Sequence, residues 1–191
     1  MSEKQKLRKK FLAVRSKITS QDRKKASRKI LKYLLSLQIM RGSNIVGLYA
    51  STGSEVETRS FIRELNRLKY QVCLPKVSAH NSLKFYQVQS LKDCLPGKFK
   101  ILEPKEDCSF VGIKNIEVVL VPGIVFDLQG HRLGYGKGFY DRLLKKIPEA
   151  CRVGLSYKRN IVDELPVEDH DCPVDYIVSE DGILTTHPRC S

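Results

Sequence analysis

The chain has 191 residues, 41% of them hydrophobic and 29% charged, enough for one domain with a substantial core. Lysine and arginine outnumber aspartate and glutamate, and the formal net charge of +13 admits either nucleic acid or a small polyanion as partner. No apolar run approaches a membrane span, Met1 to Lys17 lacks the apolar core of a secretory signal, and the six cysteines (Cys73, Cys94, Cys108, Cys151, Cys172 and Cys190) are scattered without metal-ligand spacing.

Reduced thiols in a cytoplasmic protein, with no membrane association, is the expectation that follows. Glu3 to Lys17 reads as a basic amphipathic helix with Leu7, Phe11 and Val14 on its apolar stripe. Lys4 and Arg8 stand four apart and share a face of it, and a solvated basic face is the default for such a run. Thr19 to Asp22 fits a capping box for a second helix, whose buried stripe is Ala26, Ile30, Tyr33, Leu34 and Leu37. Ile45 to Ala50 is the first expected strand. Glu55 follows in the turn beside Ser54, where an acid either favours the next helix start or meets a ligand. Val56 to Leu68 resumes a helical pattern. Tyr70 to Leu74 is a strand closed by Pro75, and Leu83 to Val88 alternates as a half-exposed one. Lys92 to Asn115 mixes proline, glycine and charge and is expected to wander over the surface.

Glu117 to Val121 is a nearly unbroken apolar run, the pattern of a strand buried on both faces of a parallel sheet. It stops at Pro122-Gly123, and a loop with Phe126, Asp127, Gly130 and Arg132 leads into Gly134-Tyr135-Gly136-Lys137-Gly138-Phe139-Tyr140-Asp141. Glycine at every second position lets the backbone approach a ligand and turn its N–H groups into an anion nest. The helix read from Phe139 to Lys146 would add its positive end, Lys137 a mobile charge, and Asp141 a carboxylate for a magnesium ion carried by phosphates. A chain reversal is the competing explanation, though three alternating glycines exceed what a turn needs. Neither the Walker A spacing nor the dinucleotide fingerprint is present. Arg152 to Ser156 and Val174 to Val178 are further strands, and Glu168 to Asp171, before Cys172-Pro173, is either an ordinary acidic loop or a metal-holding one. Strands alternating with helices predict a single α/β domain over residues 1–191. Its largely parallel sheet is flanked by helices in a Rossmann-like, three-layer arrangement, with the N-terminal helices packed on the flank.

Taken together, these segments resemble the 5-formyltetrahydrofolate cyclo-ligase family, also called methenyltetrahydrofolate synthetases. The resemblance runs over nearly the whole chain: Lys4-x-x-x-Arg8 with Leu7 between, Glu55-Val56-Glu57-Thr58, Leu74-Pro75, Glu103-Pro104, Val121-Pro122-Gly123, Phe126-Asp127, and Arg132-Leu133 through Asp141. The family converts 5-formyltetrahydrofolate to 5,10-methenyltetrahydrofolate with ATP as cosubstrate and Mg²⁺, releasing ADP and phosphate. It phosphorylates the formyl oxygen so that N10 can close the ring. The resemblance implies that Lys4, Arg8, Arg132, Leu133, Gly134, Tyr135, Gly136, Lys137, Gly138, Phe139 and Tyr140 hold ATP, with Arg132 and Lys137 acting in catalysis. It puts Ala50, Glu55, Tyr135 and Phe139 at the folate, and Asp141 and Asp171 at the metal. Phe139 departs from the family, where many members carry tyrosine. The implied partners are ATP and a folate with or without a polyglutamate tail, which the positive charge would attract; no nucleic acid and no obligate protein partner is implied. A different phosphotransferase on the same scaffold, a nucleic-acid-binding module and an inactive relative are the competing functions.

Overall fold

The computed structural model describes residues 1–78, 82–97 and 101–187. Its helices are α1 (Glu3–Ser16), α2 (Ser20–Ser36), α3 (Gln38–Gly42), α4 (Arg59–Arg67) and α5 (Phe139–Lys146). The strands through the middle of the chain are β1 (Ile45–Gly47), β2 (Gln71–Val77), β3 (Leu83–Gln87), β4 (Cys94–Pro96), β5 (Leu102–Pro104), β6 (Phe110–Val111) and β7 (Val118–Pro122). After them come β8 (Val125–Asp127), β9 (Arg132–Leu133), β10 (Cys151–Leu155), β11 (Ile161–Val162), β12 (Tyr176–Ser179) and β13 (Gly182–Thr185).

Eight strands form the main sheet in the order β13-β12-β10-β7-β1-β2-β3-β6. Its centre, β12-β10-β7-β1-β2, is parallel throughout, and antiparallel strands close both edges. The chain winds from β1 outward to β2, then crosses back to β7 on the other side of β1. That reversal is a topological switch point, and in open α/β sheets ligands bind beyond the strand ends there.

The unbroken Val118-Val119-Leu120-Val121 run makes β7 because each face of it has a core to enter. Val118 and Leu120 point to one layer with Ile30 and Leu34 of α2, Met40 of α3 and Phe61, Ile62 and Leu65 of α4. Val119 and Val121 point to the other, where Leu143 and Leu144 of α5 and Phe126 cover the sheet. Helices on both faces thus give the expected three layers. A fully buried side chain of this kind is worth about 1.5–3 kcal/mol over its exposed state, so the two cores together hold the sheet as one body. Among the described residues no helix is long and apolar enough to cross a membrane.

The N-terminal helices divide their work. Thr19 caps α2, accepting from the Asp22 N–H at 3.1 Å, and α2 lies on the sheet. Helix α1 leaves the sheet and packs Phe11 on Ile124, Val125 and Leu133, beside the three-stranded sheet β11-β8-β9 at the carboxyl ends of the parallel strands. It therefore borders the switch point.

Four expectations from the sequence need correction. Pro75 does not close β2, which continues to Val77. Pro75 shares the parity of Cys73, whose carbonyl accepts from Leu48 N, and β1 has no strand residue left to pair there, so the missing N–H costs no ladder bond. The first strand ends at Gly47 rather than Ala50, and the helix expected from Val56 starts at Arg59. The stretch from Lys92 to Asn115 is partly built structure: β4 and β5 pair as a hairpin, and β6 joins the main sheet against β3.

Candidate active site

At the switch point lies a cleft of about 690 Å³, well within the range of small-molecule sites. Every residue that the sequence nominated borders it: Lys4 and Arg8 from α1, Ala50 and Glu55 after β1, Arg132 and Leu133 on β9, the glycine loop from Gly134 to Asp141, and Asp171. The hairpin residues Ile101, Leu102 and Glu103 also border the cleft; of these the sequence had singled out Glu103 alone, as part of the resemblance and without a role.

The glycine loop takes its shape from two positive φ angles. Gly136 sits at +83° and Gly138, the N-cap of α5, at +64°, both open to glycine at no steric cost. Gly134 needs no such freedom; its carbonyl accepts from Arg8 Nε at 2.8 Å. Among the described residues no side chain caps α5, which leaves the first-turn N–H groups of that helix without a capping side chain beside the loop. A Cβ on Gly136 would lie 3.3 Å from the Arg8 guanidinium, which shows how closely α1 presses this cation against the loop.

Three ion pairs, made by two cations, sit at one end of the cleft. Arg132, its side chain 4% exposed, donates from Nη2 to Asp141 Oδ1 at 2.6 Å and from Nη1 to the Cys172 carbonyl at 2.6 Å. Lys4 Nζ lies 3.0 Å from Asp171 Oδ2 and 3.1 Å from Glu168 Oε1. Burial works against the lysine's charge, but the hydrogen bonds to Asp171 and Glu168 outweigh it and raise its pKa. Burial likewise opposes the Asp171 carboxylate, and Lys4 together with the Glu168 N–H more than offsets this, holding its pKa below the usual range. Asp127 gives no catalytic group: fully buried, it accepts from Gln129, His131 and Leu165 N–H and so ties the approach to β9.

At the other end Glu55 is 8% exposed. Burial raises its pKa, while the Thr52 N–H and the charge of Arg15 pull it down. Tyr140 reaches this end too: its hydroxyl is buried, has no hydrogen-bond partner among the described residues and feels the Glu55 charge. Tyr49 borders the same end, with a pKa well above its ordinary value through burial and then Glu55. Among the described residues no cysteine lines the cleft. Burial pushes the core thiols of Cys73 and Cys94 up to about 12 and about 11, and Cys190 lies outside the described residues.

Sequence reasoning missed Arg15 and Tyr49, and it read Glu168 only as part of an acidic loop able to hold a metal, not as a partner of Lys4. A signal for Arg15 was present: Lys4, Arg8, Phe11 and Arg15 follow each other at intervals of four, three and four, one continuous helix face. Reading only apolar residues hid it.

A switch-point cleft with a glycine loop, an uncapped helix start and clustered cations belongs to α/β enzymes that handle phosphorylated substrates. Comparison with known proteins narrows that class. The 5-formyltetrahydrofolate cyclo-ligase family profile matches residues 1–180, and the chain belongs to that family. The 5-formyltetrahydrofolate cyclo-ligase of Escherichia coli K12 is 33% identical over 143 residues, covering 72% of this chain and 78% of that protein. The one from Haemophilus influenzae is 29% identical over 175 residues, 89% of this chain and 94% of its own length. The NMR structure of Aquifex aeolicus 5,10-methenyltetrahydrofolate synthetase superimposes with a TM-score of 0.88 at 34% identity, covering all of this chain and 96% of that one.

Proposed function

We propose that this cleft is where the chain, acting as one domain, joins ATP to a folate: 5-formyltetrahydrofolate is converted to 5,10-methenyltetrahydrofolate, with release of ADP and phosphate. The activity is that of its family. The observation that supports this division of the site is that cations, glycine loop, buried acid and helix start all border one cavity.

The chemistry asks for little covalent work from the protein. A formamide oxygen leaves poorly. Once it has attacked the γ-phosphorus of ATP and ADP has departed, it leaves as phosphate when N10 adds to the formyl carbon and loses its proton. Such a transfer needs alignment and charge neutralisation. In this reading Lys137 and Arg132 lie along the transferring phosphoryl group. Arg132 is held at two of its five donors by Asp141 and Cys172, which fixes the fork and leaves the remaining N–H groups for oxygen atoms. Arg8 and Lys4 meet the outer phosphates, and the backbone from Leu133 to Tyr140 wraps them. Glu55 accepts from the amino-pyrimidine edge of the pterin, beside Ala50, while Tyr135 and Phe139 stand between the two substrates. The orphaned Tyr140 hydroxyl then gains a partner on the folate side.

The residues also fit a magnesium ion. Asp141 Oδ2 carries no hydrogen bond among the described residues, and no group of three or more metal-binding side chains occurs among them. Mg²⁺ typically takes one or two carboxylates and fills its shell with phosphate oxygens and water. Asp141 and Asp171 would hold it, and it would neutralise phosphate charge as that charge moves to the leaving group.

The direct test mixes the purified protein with ATP, Mg²⁺ and 5-formyltetrahydrofolate and follows the absorbance of the methenyl product against released phosphate. Equal yields support the reading; phosphate without methenyl product would point to another phosphotransferase. Polyglutamylated substrate should be used with higher kcat/KM than the monoglutamate, by a margin that shrinks with salt, because the net charge is +13. Equal values at low ionic strength would remove that part.

Glu55→Gln should raise the folate KM or lower the rate while leaving ATP affinity nearly unchanged. It should also melt at a higher temperature near neutral pH. A carboxyl with a raised folded pKa stabilises the fold while protonated, and that contribution is lost as pH rises through the folded value. The neutral amide escapes the loss, so the difference in Tm should vanish in acid. Thermal melts across pH, beside steady-state kinetics, check both halves.

A further inference from the structure

Arg15 is 3% exposed, and among the described residues its guanidinium bonds to neutral acceptors rather than forming a direct ion pair. Nε donates to Ser54 Oγ at 3.0 Å, Nη1 to the Gly123 carbonyl at 2.9 Å and Nη2 to the Tyr135 hydroxyl at 2.8 Å. These acceptors belong to three walls of the cleft: the loop after β1, the turn after β7 and the glycine loop. Tyr135 is otherwise 57% exposed, so this bond is what orients its ring. A buried guanidinium is costly without a countercharge, and the acid that shares its surroundings is Glu55, next to Ser54.

We propose that Arg15 is a positioning residue for folate, fixing the Tyr135 ring against the cleft and supplying the countercharge of Glu55. The proposal rests on the reading that Glu55 meets the pterin. Glu55 is faced by Arg15 from α1, Tyr49 after β1, Tyr140 from α5 and Tyr157 after β10, whose hydroxyl donates to the Glu55 carbonyl at 3.0 Å. Burial opposes ionisation, and the Thr52 N–H and Arg15 favour it. A side chain that merely glued α1 to the sheet would need no charge; a countercharge must move the titration of Glu55 when it is lost.

The experiment measures kcat/KM for 5-formyltetrahydrofolate across pH at saturating ATP, with folding of each variant checked by thermal melts. Wild type should show an acid limb falling tenfold per pH unit as Glu55 takes up its proton. In Arg15→Met the limb should move to higher pH. In Tyr135→Phe, which keeps the charge and loses one hydrogen bond, the limb should stay while kcat/KM drops. A limb at the wild-type pH in folded Arg15→Met overturns the proposal. Should that variant not fold, Arg15→Lys decides: it keeps the charge but not the fork, so its limb should stay and its kcat/KM should fall roughly tenfold. Wild-type kcat/KM in Arg15→Lys also overturns it. Glu55→Gln separates the two claims. If it leaves both the limb and the folate KM untouched, the pterin reading has failed; if it removes the limb that Arg15→Met leaves in place, Arg15 alone has been misassigned.

Discussion

Asp141→Asn should remove most turnover, at least about a hundredfold, and sharply raise the Mg²⁺ needed for what remains. The carboxylate sits in the first turn of α5 directly after the glycine loop. A bare acid there would repel phosphate, and a magnesium ion turns the repulsion into a bridge. One oxygen is already committed, Oδ1 accepting from Arg132 at 2.6 Å. Asparagine can keep its carbonyl oxygen toward Arg132 but then presents an NH₂ where the metal would be, so the arginine stays partnered while the metal ligand is lost. The fold and folate binding should survive nearly intact. If Asp141 served only to hold Arg132, the variant would lose stability and rate without a change in metal requirement. Titrating Mg²⁺ against initial rate in both proteins separates these outcomes, and superimposable curves would put the metal elsewhere.

Lys4→Ala and Arg8→Ala should each weaken ATP use by about ten- to hundredfold, in apparent affinity or rate, since a charge-assisted contact to phosphate is worth roughly 1.5–3 kcal/mol. The two losses differ in kind. Arg8 braces the glycine loop through the Gly134 carbonyl, so its removal slackens the loop as well as deleting a charge. Lys4 is held by Asp171 and Glu168, and its removal leaves two acids facing the nucleotide end without their cation. The Lys4→Ala effect should therefore shrink in an Asp171→Asn background, a coupling that a double-mutant cycle measures. Unchanged ATP kinetics in both single variants would return these residues to an ordinary solvated face.

The parts of the fold that could be read in advance are those where local pattern and tertiary demand agree. Val118 to Val121 carries no polar residue because both faces of β7 are buried, and α5 begins at Phe139 because Gly138 supplies the positive φ that starts it. The glycine loop from Gly134 to Asp141 was legible because a phosphate loop needs glycine, cation and acid in close succession, whereas Lys4, Arg8, Ala50, Glu55 and Asp171 were assigned to the site through the family resemblance and not by local pattern. What stayed hidden depends on partners remote in sequence. The strand β6 has two residues and exists by pairing with β3; nothing local marks it. Arg15 reads as one more basic residue in a basic helix until α1 is seen crossing the switch point. Phe11 and Arg15 share one buried stripe there, which a rule counting only apolar positions cannot register.

The central claim is that one cleft brings the γ-phosphate of ATP onto the formyl oxygen of the folate. It is tested most directly with 5-formyltetrahydrofolate carrying ¹⁸O in the formyl group, turned over in ordinary water with ATP and Mg²⁺. Phosphorylation of that oxygen predicts one ¹⁸O atom in each phosphate released, in step with methenyl product. Unlabelled phosphate, with the ¹⁸O lost to water, would contradict the account.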